Sequence, residues 1–95
     1  MNKKQTLQLR QDKLKKQIAD RLDLLIGSIH KTPSQTGYHL TTKIEGKSVT
    51  KYVRQSLVPQ AQAMTENHLQ VRALLRQLSP VNWQLLQLSQ DEDPA

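Results

Sequence analysis

Two changes of period along the 95 residues predict an α+β fold. Apolar residues recur at helical spacing towards both ends, and between them runs a stretch that alternates with period two around a glycine-containing turn. Together these predict a long helix, a β-hairpin, a second long helix and a short C-terminal helix.

Residues 4–26 hold neither Gly nor Pro and are rich in Lys, Gln and Leu, a composition that favours helix. Leu7, Leu14, Ile18, Leu22 and Leu25 form one stripe. Gly27-Ser28 is the expected stop, since glycine takes the left-handed conformation of a helix C-terminus without a steric penalty. "HKTPSQTG", residues 30–37, has no periodicity and is dense in turn formers, so it is expected to be a loop.

"YHLTTKI" and "KSVTKYV" then flank Glu45-Gly46. A two-residue turn there sets Ile44 opposite Lys47, Thr42 opposite Val49, Leu40 opposite Lys51 and Tyr38 opposite Val53. One face would carry Tyr38, Leu40, Ile44, Val49 and Val53; the other would carry His39, Thr41, Lys43, Ser48, Thr50, Tyr52 and Arg54.

The second helix is expected from Ser56 to about Leu78, with Pro59 in its first turn, where a missing N–H matters little. Leu57, Ala61, Met64, His68, Val71, Leu75 and Leu78 alternate steps of four and three, the seam of a coiled-coil-like pair. Ser79-Pro80 is expected to end that helix and open a third through "VNWQLLQL". The long helices should pair antiparallel, or between two copies of the chain, with Leu14, Ile18 and Leu25 as the first helix's share of the interface. One domain over 1–90 and an acidic, disordered tail over 91–95 complete the expected organisation.

Composition limits the chemistry. With 36% hydrophobic residues and no Phe, the core must be aliphatic, and a chain this short buries only about 60–65% of its unfolded surface. An enclosed active site has little room. The absence of cysteine removes disulfides and thiolate metal sites. His30, His39 and His68 lack metal-ligand spacing, and neither a glycine-rich phosphate loop nor a nucleophile beside a base is present. No enzyme activity and no cofactor are expected.

Charge points to a partner instead. The net charge is +6; without Asp91, Glu92 and Asp93 the eight acids fall to five, against 14 bases. Such a body attracts polyanions. The expected nucleic-acid contacts are Lys43, Lys47, Lys51 and Arg54, with His39, Thr41, Thr50 and Tyr52 among them. A two-stranded ribbon fits a DNA major groove, and its cations and hydroxyls reach phosphates and base edges. The same lysines also suit a solvated hairpin protected from edge pairing. A second basic row, Lys3, Lys4, Arg10, Lys13, Lys15, Lys16 and Arg21, is interrupted by Asp12, Asp20 and Asp23 and reads as a solvent face. Double-stranded DNA is therefore the expected partner, with no residue that distinguishes it from RNA. The helical seams add a homodimer or a larger protein. Without an apolar leader or an apolar run of about 18 residues, a soluble, cytoplasmic protein is expected.

Gly27, Ser28, Gly37, Tyr38, Glu45, Gly46, Lys47, Tyr52, Val53 and Pro59 follow an order that resembles a family of short, uncharacterised bacterial proteins associated with transposons. Its members run Gly-Ser, a cysteine-bearing loop, Gly-Tyr, strand, acidic-Gly-Lys turn, strand and long helix. The likeness covers roughly residues 27 to 78. It implies that order of elements and a mobile-element setting, with no demonstrated activity; the larger protein that the helical seams would dock on is one such as a transposase. "HKTPSQT" departs from it in carrying no cysteine, so whatever the family's cysteines do is not carried over.

Overall fold

The computed structural model of the chain describes residues 2–31 and 37–92, with side chains as far as Ser89. Residues 32–36 of the expected loop and 93–95 of the expected tail lie outside the described residues. The elements are α1 (Lys3–Ala19), β1 (Ser28–Lys31), β2 (Tyr38–Ile44), β3 (Lys47–Val53), a 3-10 turn (Gln55–Leu57) and α2 (Val58–Glu92). The class is α+β, with two α-helices and one antiparallel sheet, in the order β1-β2-β3, among the described residues. Packing divides the chain into two compact units, Met1–Leu22 with Gln70–Ala95, and Asp23–Leu69; α2 contributes to both.

In the helical unit, α1 begins with a reciprocal cap: Asn2 Oδ1 accepts from the Gln5 N–H at 2.8 Å, and Gln5 Oε1 accepts from the Asn2 N–H at 3.3 Å. Two donors that a helix start leaves unpaired are satisfied in this way. Leu7 and Leu14 are buried with Val81, and Leu74, Leu78, Leu85 and Leu88 pack around them. Gln11 donates to Asn82 Oδ1 at 2.8 Å and Arg21 Nε to Gln70 Oε1 at 2.7 Å, so α1 and this stretch of α2 run in opposite directions.

This arrangement differs from the expected one in three ways. First, α1 stops at Ala19 and does not reach residue 26. The backbone beyond it bonds to α2 within the strand unit: Asn67 donates to the Asp23 carbonyl at 2.9 Å and the Leu25 N–H to the Met64 carbonyl at 3.1 Å. Those bonds replace the helical ones, which takes Leu22 and Leu25 off the stripe and leaves Leu22 60% exposed. Second, no third helix forms among the described residues. α2 continues through Ser79-Pro80 to Glu92, so Asp91 and Glu92 of the expected tail are helical. Proline inside a helix removes a hydrogen bond and crowds the carbonyl four residues earlier, costing about 3 kcal/mol. The apolar side chains Leu78 and Val81 lie on both sides of Pro80 in one cluster, and burying them together offsets that cost. Third, the strict four-three seam is not kept. Leu74 packs inward where Leu75 was expected, and Leu75 and Leu57 are each 48% exposed. The full-length coiled-coil-like pair is therefore absent.

In the strand unit, β2 and β3 pair in the expected register, from Tyr38 opposite Val53 to Ile44 opposite Lys47. Glu45 and Gly46 have φ of 50° and 81°, the pair of positive values that a tight hairpin turn requires because it matches the twist of the strands. The expected two-stranded hairpin gains a third strand. β1 pairs with the other edge of β2, Ile29 opposite Leu40 and His30 opposite His39, where a loop was expected from His30 onwards. Gly27 is needed for this close approach and is not the end of α1: a Cβ there would lie 2.4 Å from the Thr41 carbonyl oxygen. Leu40, Val58 and Ala61 are the buried apolar residues of the unit.

Two stability measurements follow. Asparagine accepts positive φ better than glutamate, so Glu45→Asn should raise the unfolding free energy by about 1 kcal/mol in urea titration. Pro80→Ala should restore a helical hydrogen bond and raise stability by up to about 3 kcal/mol, with a gain in helical circular dichroism; a loss would mean that the packing on α1 needs the proline.

Candidate nucleic-acid interface

Because side chains alternate across a strand, the register assigns each residue of the sheet to a face. One face is polar. His30, His39 and Tyr52 form a row across the three strands; Ser28, Thr41 and Thr50 form the next, and Lys43 and Ser48 the one beyond. The opposite face carries Ile29, Leu40 and Lys51 in one row, Thr42 and Val49 in another, and Ile44 with Lys47 at the turn.

The polar face is organised by its rings. His39 and Tyr52 meet edge to face, with centroids 5.8 Å apart and planes at 70°, the geometry that ring quadrupoles favour. Tyr52 is 64% exposed. Beneath one side of it lies Gly37, where a Cβ would stand 2.9 Å from the tyrosine Cε2, so the ring occupies space that only glycine leaves open. Thr41 Oγ1 lies 3.4 Å from His30 Nε2. The Nδ1 atom of His39 is buried and meets no hydrogen-bond partner among the described residues.

Of the expected nucleic-acid contacts, His39, Thr41, Lys43, Thr50 and Tyr52 come together on this face. Lys47 and Lys51 do not: they point to the opposite face from β3, which is an edge of the sheet. Arg54 follows directly after β3. All four cations are exposed, but they flank the edge from two sides and do not form one basic surface. His30 was missed as a member of the site, because four residues, "SIHK", are too few to display an alternation. Its signal lay in the phase: Ser28 and His30 alternate with Ile29 as Thr41 and His39 do with Leu40.

The seam residues are divided between the two units. Ala61 is buried and Met64 and His68 are half-buried in the strand unit; Leu14 and Val71 are buried and Ile18 and Leu78 half-buried in the helical unit. Leu25, Leu57, Ala61 and Met64, with Leu40 and Val53 of the sheet, line an open groove of about 530 Å³ flanked by Lys51 and Arg54. Of the first helix's basic row, Arg21 is committed to Gln70 and to the Gln17 carbonyl. Among the described residues no group of three His, Cys, Asp or Glu is placed to hold a metal ion, and no helix is long and apolar enough to cross a membrane.

No family model, curated protein or solved structure matches the chain. The likeness to transposon-associated proteins thus rests on the residues quoted for it.

A buried polar atom without a partner lowers stability by about 1–3 kcal/mol. His39→Phe keeps the edge-to-face packing and removes that atom, so it should raise the melting temperature; a lowered one would mean that Nδ1 is satisfied by a bound water.

Proposed function

We propose that this chain is a non-enzymatic nucleic-acid-binding protein whose contact surface is the sheet and its β3 edge. The observation that carries the reading is the charge of the strand unit. From Gly27 to Arg54 the bases are Lys31, Lys43, Lys47, Lys51 and Arg54, and the single acid is Glu45 at the turn. Each of these cations is exposed, as phosphate contact requires. Hydroxyls of Thr41, Thr50 and Ser48 share a face with Lys43 and can donate to phosphate oxygens without adding charge. The resemblance to transposon-associated proteins adds a mobile-element setting in which such a protein serves as an accessory.

The open groove favours a second reading. Its walls, Leu40, Leu57, Ala61 and Met64 among them, suit the apolar side chains of a larger protein such as a transposase, docked on the strand unit. Salt separates the two readings, because phosphate contact releases counterions and apolar docking does not.

Binding of the full chain to a labelled nucleic acid across a salt series should give a negative slope of log affinity on log salt. Lys47→Glu, Lys51→Glu and Arg54→Glu combined should flatten that slope by about 0.7–0.9 for each phosphate no longer neutralised, with circular dichroism unchanged. An unaltered slope would remove the β3 edge from the interface, and absence of binding at low salt would favour the groove.

A further inference from the structure

We infer that the nucleic acid is single-stranded, with its phosphates along the β3 edge and a base stacked on Tyr52. This rests on the nucleic-acid reading above and adds the strand state to it.

The third strand argues against insertion of the Tyr52 end of the sheet into a duplex. A B-DNA major groove, about 12 Å wide, admits a helix or a two-stranded ribbon. β1, β2 and β3 side by side, at about 4.8 Å spacing, already span roughly 10 Å between the outer strand axes before any side chain is added. At the row of His30, His39 and Tyr52 the sheet therefore offers a surface to lie on, and only its tip, beyond Thr41 and Thr50, is a two-stranded ribbon.

Tyr52 decides for an unpaired base. It stands 64% exposed on the edge strand, at the end of the row His30, His39, Tyr52, in edge-to-face contact with His39 and seated over Gly37. A ring so positioned has little freedom left to lose on binding, and a base stacked on it needs only its own flat face, which a duplex hides. Around it the face supplies hydrogen-bonding groups and no acid: the imidazoles of His30 and His39 and the hydroxyls of Thr41 and Thr50. Lys51 precedes Tyr52 on the same edge strand and projects to the opposite face, and Arg54 follows two residues later. Stacking on one side of β3 and cations on its other side and its end make one track for a single strand, bases inward and phosphates outward. An exposed tyrosine also serves simply as a good strand former, and the choice of variants separates the two roles.

The full chain is titrated, at one low salt concentration, into labelled oligothymidine, oligouridine and a duplex, each of about 12 nucleotides, a length within the span of such sites. Binding is read by fluorescence anisotropy. Either single strand should bind more tightly than the duplex. Tyr52→Thr, which keeps strand propensity, should weaken single-strand binding about five- to 150-fold and leave the duplex unchanged, while Tyr52→Phe should bind like the unaltered chain. Should Tyr52→Thr unfold, Tyr52→Leu keeps an apolar side chain over Gly37 and is expected to show the same weakening. A duplex bound as tightly as the single strands, with no effect of removing the ring, overturns the single-strand inference and leaves nucleic-acid binding standing. Failure of all three ligands to bind at low salt overturns both.

Discussion

The register imposed by the two-residue turn at Glu45-Gly46 is the constraint from which the strand unit follows. With side chains alternating at every residue, a slip of one position between β2 and β3 would bring Leu40 and Tyr52 onto the same face. The positive φ of both turn residues holds the pairing where it is, and the adjoining β1 inherits the same phase through Leu40 opposite Ile29. The row of His30, His39 and Tyr52 is thus a consequence of a turn at the far end of the hairpin.

α2 is the second organising element. In the strand unit it accepts a backbone hydrogen bond from Leu25 at the Met64 carbonyl and donates through Asn67 to Asp23. That fixes the segment leading to Gly27, whose missing side chain lets β1 approach β2. In the helical unit the same helix buries Leu74, Leu78, Val81, Leu85 and Leu88 around Leu7 and Leu14. Pro80 lies within this stripe, so the helix continues where local propensity alone would stop it.

The parts of the fold legible in the sequence are those written in local chemistry. The hairpin, its turn and its register follow from alternation and from Gly46, and the two amphipathic stretches follow from leucine spacing. What was not legible depends on partners distant in the chain. β1 is a strand because β2 offers it an edge, not because "SIHK" declares one. α1 ends early because Asp23 and Leu25 bond to α2. Pro80 looks like a helix boundary until its neighbours are seen to share one core. The candidate site shows the same division: five of its expected residues gather by register alone, His30 joins only through β1, and Lys47 and Lys51 stand on the opposite face because the alternation that places Tyr52 excludes them.

Burial declines along β2, from the buried Leu40 through half-buried Thr41 and Thr42 to exposed Lys43 and Ile44. Nothing lies within 4 Å of where a Gly46 Cβ would stand. In mechanical terms the hairpin is a cantilever, anchored at Leu40 and unsupported at its tip. The side chains of the last two rungs are exposed, and regions with few buried apolar contacts open at lower free energy than the rest of a fold. The anchored end keeps His39 and Tyr52 in a fixed relation, while the tip can bend to follow an uneven surface at small energetic cost. Precision and compliance are thereby assigned to opposite ends of a single pair of strands.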